Sequence, residues 1–176
     1  MQILSYILSL LGLVSMICAS MTKGEKMKRI LFLVFCGNVL VATSYLVGGS
    51  GINGAAACYL GGAMSIVNYF FDSKNIPIPK WLIAVYSVLI VALNIWVAGG
   101  VTALGILVIV ASLTFVLCIG QKNGAKYRFW TFVNMTLWCI YDILSASYSV
   151  LITHIPQLVF AIVGMIVHDR KKSDLV

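Results

Sequence analysis

The chain has 176 residues, 61% of them apolar and only 10% charged, and its mean hydropathy of +1.04 lies outside the range of soluble domains. The net charge of +7 would point a soluble protein toward nucleic acid. Here the cations sit at the ends of apolar stretches, where they anchor spans and attract anionic lipid headgroups, so membrane lipids are the expected partners and nucleic acid is not.

A hydrocarbon core about 30 Å thick takes roughly 20 apolar residues per helix. On that measure spans are predicted at 3–20, 30–48, 54–71, 81–98, 101–119, 129–147 and 150–168. The first ends in Cys18-Ala19-Ser20, small residues of the kind found at signal-peptide cleavage sites. No positive charge precedes it, however, and Lys23, Lys26, Lys28 and Arg29 follow, the reverse of a secretory signal, so it is expected to remain as a helix. The second gap, Gly48 to Asn53, carries no charge. Span three has Ala57, Gly61 and Ser65 every four residues, a stripe that lets helices approach closely. Lys74 and Lys80 flank the third gap, whose Ile76-Pro77-Ile78-Pro79 cannot continue a helix. Gly99-Gly100 is uncharged, Lys122, Lys126 and Arg128 fill the fifth gap, the turn at Ser147 is bare, and Arg170, Lys171 and Lys172 form the tail. All twelve Lys and Arg thus fall in alternate gaps. Cations near span ends are retained on the cytoplasmic side, which predicts seven spans with the N-terminus outside and the C-terminus in the cytoplasm.

The gaps divide the chain into three, one and three. The predicted fold is an all-α membrane protein with seven transmembrane helices, two parallel three-helix bundles (1–75 and 101–176) joined by a linker helix (76–100), all within one membrane domain, 1–176. An odd linker helix lets two three-helix units enter the membrane in the same orientation. Residue identity is a faint witness to duplication. An offset of 96 carries Asn38 onto Asn134 and Tyr45 onto Tyr141; an offset of 99 carries Lys23 onto Lys122 and Arg29 onto Arg128.

This layout resembles the sugar-transporting SWEET proteins, the PnuC-type carriers of vitamin precursors and, more closely, the bacterial inner-membrane YgjV family of the SWEET and PQ-loop-like superfamily. The YgjV similarity runs over nearly the whole chain. It is carried by the stretch from Trp138 through Tyr141-Asp142 to the small-residue turn at Ser147, and by Val101–Gly120 running into QKNGAKYR. The chain departs at Tyr141-Asp142, where that pattern has a His-Asn-like pair. The resemblance implies a SWEET-like fold in the bacterial cytoplasmic (inner) membrane. Single-unit relatives of the fold dimerise, so it also leaves a homo-oligomer open.

Few residues carry chemistry. Glu25, Asp72, Asp169 and Asp174 sit at the margin predicted to be cytoplasmic, and Asp142 alone lies within a span. A carboxylate there costs roughly 2.5–3.5 kcal/mol on insertion scales, which makes Asp142 a functional candidate. His154 falls at similar depth on the next span, close enough to pair with it, and such a pair could bind a proton or a polar solute. Asn38 and Asn134 lie near the midplane of the second helix in each unit, where amides serve either hydroxyl-bearing ligands or helix-to-helix bonding. Trp138 is one turn from Asn134 on the same face and offers a plane for a ring. Pro156 frees the carbonyl of Ile152 and is a candidate hinge, with Gln157 beside it. Trp81, Trp96 and Trp130 read as interfacial belt residues.

The five cysteines lie within spans without CxxC spacing, so neither disulfides nor a metal site is expected. The chain lacks metalloprotease and nucleophile-elbow motifs and acidic clusters, and no enzymatic activity or cofactor is expected. The leading expectation is a transporter or facilitator of a neutral polar solute, such as a sugar, nucleoside or vitamin precursor, working by alternating access. Asn38, Asn134, Trp138, Asp142, His154 and Gln157 would line its pocket. The alternative, favoured by the scarcity of strongly polar residues, is a non-transporting multi-pass protein: a receptor, a lipid-interacting protein or a subunit of a complex.

Overall fold

The computed structural model describes residues 2–23, 26–49 and 51–168, and these form seven α-helices without a strand. They are α1 (Gln2–Ser20), α2 (Met27–Gly48), α3 (Ile52–Ser73), α4 (Lys80–Val97), α5 (Ala103–Ile119), α6 (Gly124–Leu144) and α7 (Tyr148–His168). Five of them, α1, α2, α3, α4 and α7, are long and apolar enough to cross a membrane. The apolar α5 is shorter at 17 residues, about 26 Å at 1.5 Å per residue. The remaining helix, α6, carries Lys126, Arg128 and Asp142. Glu25, Asp169, Asp174 and the basic tail Arg170–Lys172 lie outside the described residues.

Local chemistry sets the helix ends. The left-handed Gly49 (φ 70°) closes α2 by giving its N–H to the last carbonyls, and Gly51 (φ 72°) opens α3. A side chain on Gly51 would stand 3.0 Å from the Tyr45 ring, so glycine is required there twice over. Asn123 caps α6 by accepting from the Ala125 N–H, and Thr102 caps α5 by accepting from the Gly105 N–H. The Asn123 cap starts α6 five residues before the predicted span. Lys126 and Arg128 are therefore helical rather than part of a loop.

Helices α1, α2, α3, α5, α6 and α7 close a ring in that order, each packed on the next and α7 back on α1, while α4 lies against α3 and α5. Outward-facing Ile3, Leu10, Val14, Val88, Ile152 and Val159 give the bundle an apolar exterior, as a hydrocarbon surround demands. Two ends can be told apart. At the turn end lie the start of α1, the α2–α3 turn and the α6–α7 turn; Ser5 and Ser9 bond the Ser44 hydroxyl, and Thr153 donates to the Ser9 carbonyl. At the basic end, Tyr86 donates to Asn68, whose amide donates to the Ile119 carbonyl, tying α4, α3 and α5 together.

Two expectations need correction at the basic end. Arg128 is not a solvated anchor. It is 3% exposed, its aliphatic stem lies over Gly164 of α7, and Nη1 donates to the Thr22 carbonyl beyond α1. Trp130 is not a belt residue like the exposed Trp81 and Trp96; it is part-buried against the core of Ile30, Leu31 and Ile119. Both follow from the early start of α6, which moves these residues one to two turns into the bundle.

Candidate functional site

A cavity of about 40 Å³ lies at the centre of the ring, room for roughly three waters. All six ring helices line it and α4 does not. Its polar wall comes mainly from α5, α6 and α7, with Ser112, Thr131, Asn134, His154 and Gln157; the α1–α3 wall is Met16, Val34, Val41, Ala57, Cys58, Gly61 and Met64, with Asn38.

The cavity-side group with the most chemistry is built at the turn end. Asp142 stands in the last turn of α6, fully buried, and Tyr45 Oη of α2 donates to its Oδ1 at 2.7 Å. His154 Nδ1, from the second turn of α7, lies 2.6 Å from Asp142 Oδ2. The predicted neighbours are thus hydrogen-bonded, with a tyrosine from the other half of the chain as third member. The Tyr45 ring is seated by Gly54, where an added methyl would come within 2.8 Å of Cζ. The His154 ring is held against Trp138 (centroids 5.7 Å apart, 36° between planes), and Trp138 meets Tyr141 edge-on at 5.5 Å. With Nδ1 committed to Asp142, the ring edge bearing Nε2 is the one left for the cavity, since no other described residue bonds it.

The other predicted residues divide. Gln157 lines the cavity one turn beyond His154, is 3% exposed, and has no hydrogen-bond partner among the described residues. Asn38 also faces the cavity; its Nδ2 donates to Val34 O of its own helix, and its Oδ1 points toward Gly61. Asn134 is largely committed to structure, because its Nδ2 donates to Ala111 O at 2.6 Å and to Thr114 Oγ1, fastening α6 to α5. Trp138 is on the wall, and Asp142 stands behind His154 rather than on the cavity surface. Pro156 lies inside α7, which runs through it as one helix, and is not part of the wall.

Several residues of the site carry no mark in the sequence. Tyr45 was visible only as the offset-96 match of Tyr141, with nothing to show that its hydroxyl reaches Asp142. Ser112, Thr131, Cys118, Met16, Met64 and Met135 look like ordinary span residues, and no local pattern marks them. None of the family models, curated proteins or solved structures compared with this chain matches it.

Proposed function

We propose that this protein is a seven-span, SWEET-like carrier of the YgjV type in the bacterial inner membrane, N-terminus outside, moving a small neutral polar solute by alternating access. In this reading α1–α3 and α5–α7 are two parallel three-helix units, α4 links them, and α5 and α6 also cross the bilayer. Its solute is a sugar, a nucleoside or a vitamin precursor. The observation that carries the reading is the central cavity, lined by the buried Gln157 and by Ser112, whose Oγ is buried with no hydrogen-bond partner among the described residues. A buried polar atom left unmatched by the fold is matched by a ligand or by water.

Solute pockets usually enclose roughly 300–1,000 Å³, so the present cavity corresponds to an occluded state, and one end of the ring must part to admit a metabolite. The two ends are held by different bonds: the Tyr45–Asp142–His154 set at one, and the Arg128 reach to Thr22 at the other. Opening one set at a time is the alternation the mechanism requires.

The same small cavity, together with Asn134's structural commitment, favours a second reading: a receptor, lipid-binding protein or complex subunit that transports nothing. Purified protein screened for thermal stabilisation by neutral metabolites, followed by uptake into proteoliposomes, separates the two. A ligand of the folded state raises the melting temperature. Stabilisation plus saturable uptake supports the carrier; stabilisation without uptake supports the receptor; neither leaves the carrier reading without its substrate and counts against it.

A further inference from the structure

The Asp142–His154 contact has two charge states that differ by a single proton. When His154 is neutral, its Nδ1–H donates to Asp142, Nε2 is a bare acceptor at the cavity, and the pair carries one negative charge. Adding a proton at Nε2 makes the pair neutral overall and turns the same edge into a donor. Only the second state is balanced without water or another cation. Asp142 is fully buried, in the last turn of its helix where the backbone dipole opposes a carboxylate. Its one ion pair among the described residues is with His154, and no lysine or arginine lines the cavity. The titratable groups facing it are Tyr45 from α2, Cys58 from α3, and Cys139 and Tyr141 from α6 itself, none of which supplies a positive charge. From α1 the nearby groups are the Ser5 and Ser9 hydroxyls, bonded to Ser44.

We propose that the Asp142–His154 pair is a binding site for one exchangeable proton, taken up at His154 Nε2 from the cavity side. Resting on the carrier reading, this proton is the ion that travels with the solute. Three structural features suit the role. Tyr45 Oη and His154 Nδ1 hold one carboxylate oxygen each, so Asp142 keeps its place whether or not Nε2 is loaded. The His154 ring is set against Trp138, which fixes the direction of the Nε2 edge. Gln157 stands one turn further along α7, so a solute touching both feels the change of Nε2 from acceptor to donor. The loaded site therefore selects an uncharged solute that offers a hydrogen-bond acceptor, and the empty site releases it.

The chain has two histidines, so uniformly 15N-histidine-labelled protein in lipid nanodiscs gives a readable titration by NMR, and His168→Gln assigns the pair. The expected result is reversible conversion of the His154 ring between neutral and imidazolium forms as pH is changed. Tyr45→Phe, which keeps the ring on Gly54 and removes only one hydrogen bond, should preserve the conversion. A His154 ring that stays in one form between about pH 5 and about pH 8, in wild type and Tyr45→Phe alike, overturns the site. The coupling is read in proteoliposomes containing the pH dye pyranine, with the membrane potential clamped, challenged with D-ribose, uridine or nicotinamide. Solute-dependent acidification that is lost in Asp142→Asn and kept in His168→Gln supports it. Solute entry without acidification overturns the coupling and leaves the carrier standing. A titrating His154 with none of the solutes moving supports the proton site and counts against the carrier.

Discussion

The two halves of the ring, α1–α3 and α5–α7, place different chemistry at corresponding positions. An offset of 96 matches the end of α2 (Gly48) to the end of α6 (Leu144) and the start of α3 (Ile52) to the start of α7 (Tyr148). The same offset pairs Met16 with Ser112, Asn38 with Asn134, Cys58 with His154 and Gly61 with Gln157, and all eight residues line the cavity. Apart from the shared asparagine, the first half brings a thioether, a thiol and a bare backbone where the second brings a hydroxyl, an imidazole and an amide. Even the asparagines differ, since Asn38 bonds within its own helix and Asn134 bonds across to α5. One half supplies a smooth wall and the other supplies the hydrogen bonding. A site built this way is lopsided, and its selectivity should be sensitive to α6 and α7 and tolerant of change in α1–α3.

The strongest test of that contrast lies at Asp142 and its offset match, Leu46. Asp142→Ala leaves His154 and Tyr45 buried without their shared partner and should cost about 3–5 kcal/mol, read as earlier unfolding in a denaturant series in detergent. Leu46 is half-exposed on the ring exterior, and Leu46→Ala should stay within about 0.5 kcal/mol of wild type. Equal losses at the two positions would show that the halves carry the same burden after all.

Next in size is Gly54, matched by Val150 in the second half. Gly54→Val copies the other half, yet it drives a side chain into the Tyr45 ring at a point already 2.8 Å away for a single methyl. About 1–3 kcal/mol of stability should go, and the Tyr45–Asp142 bond with it, read as an earlier midpoint in the same denaturant series. Gln157→Leu sharpens the comparison on function instead. It removes the amide at similar volume, so the melting temperature should move little while any solute-induced stabilisation disappears; the conservative Cys58→Ala in the matched wall should keep that stabilisation.

The smallest expected effect concerns the two turns. In the α2–α3 turn the left-handed Gly49 and Gly51 adopt that conformation freely, whereas in the α6–α7 turn an alanine, Ala146, adopts it at φ 53°. Ala146→Gly should therefore stabilise the protein by about 1 kcal/mol, measured as a later thermal midpoint.

Much of this is legible in the sequence. Alternating cations and uncharged turns locate seven helices, because loop chemistry is local and strong. Asp142 and His154 were legible as a pair because twelve residues and one tight turn separate them. Tyr45 was not, since its bond to Asp142 spans 97 positions and depends on how α2 meets α6 across the ring. Arg128 misled because a cation beside an apolar run is ordinarily solvated, and only the bare surface of Gly164 makes room for it inside. Asn134 shows its polarity in the sequence but not its commitment, which depends on an α5 carbonyl and hydroxyl that no spacing reveals.

Closure of the ring between α1 and α7 has a consequence for biogenesis. The serines of α1 find Ser44 as soon as α2 arrives, but the Ser9 carbonyl receives its hydroxyl only from Thr153, and the Thr22 carbonyl its guanidinium only from Arg128. Helix α1 must therefore wait beside α2 through the synthesis of α3 to α6, its flank provisionally covered by lipid. Truncation before α7 should thus expose α1 to quality-control proteases, however well the earlier helices have inserted.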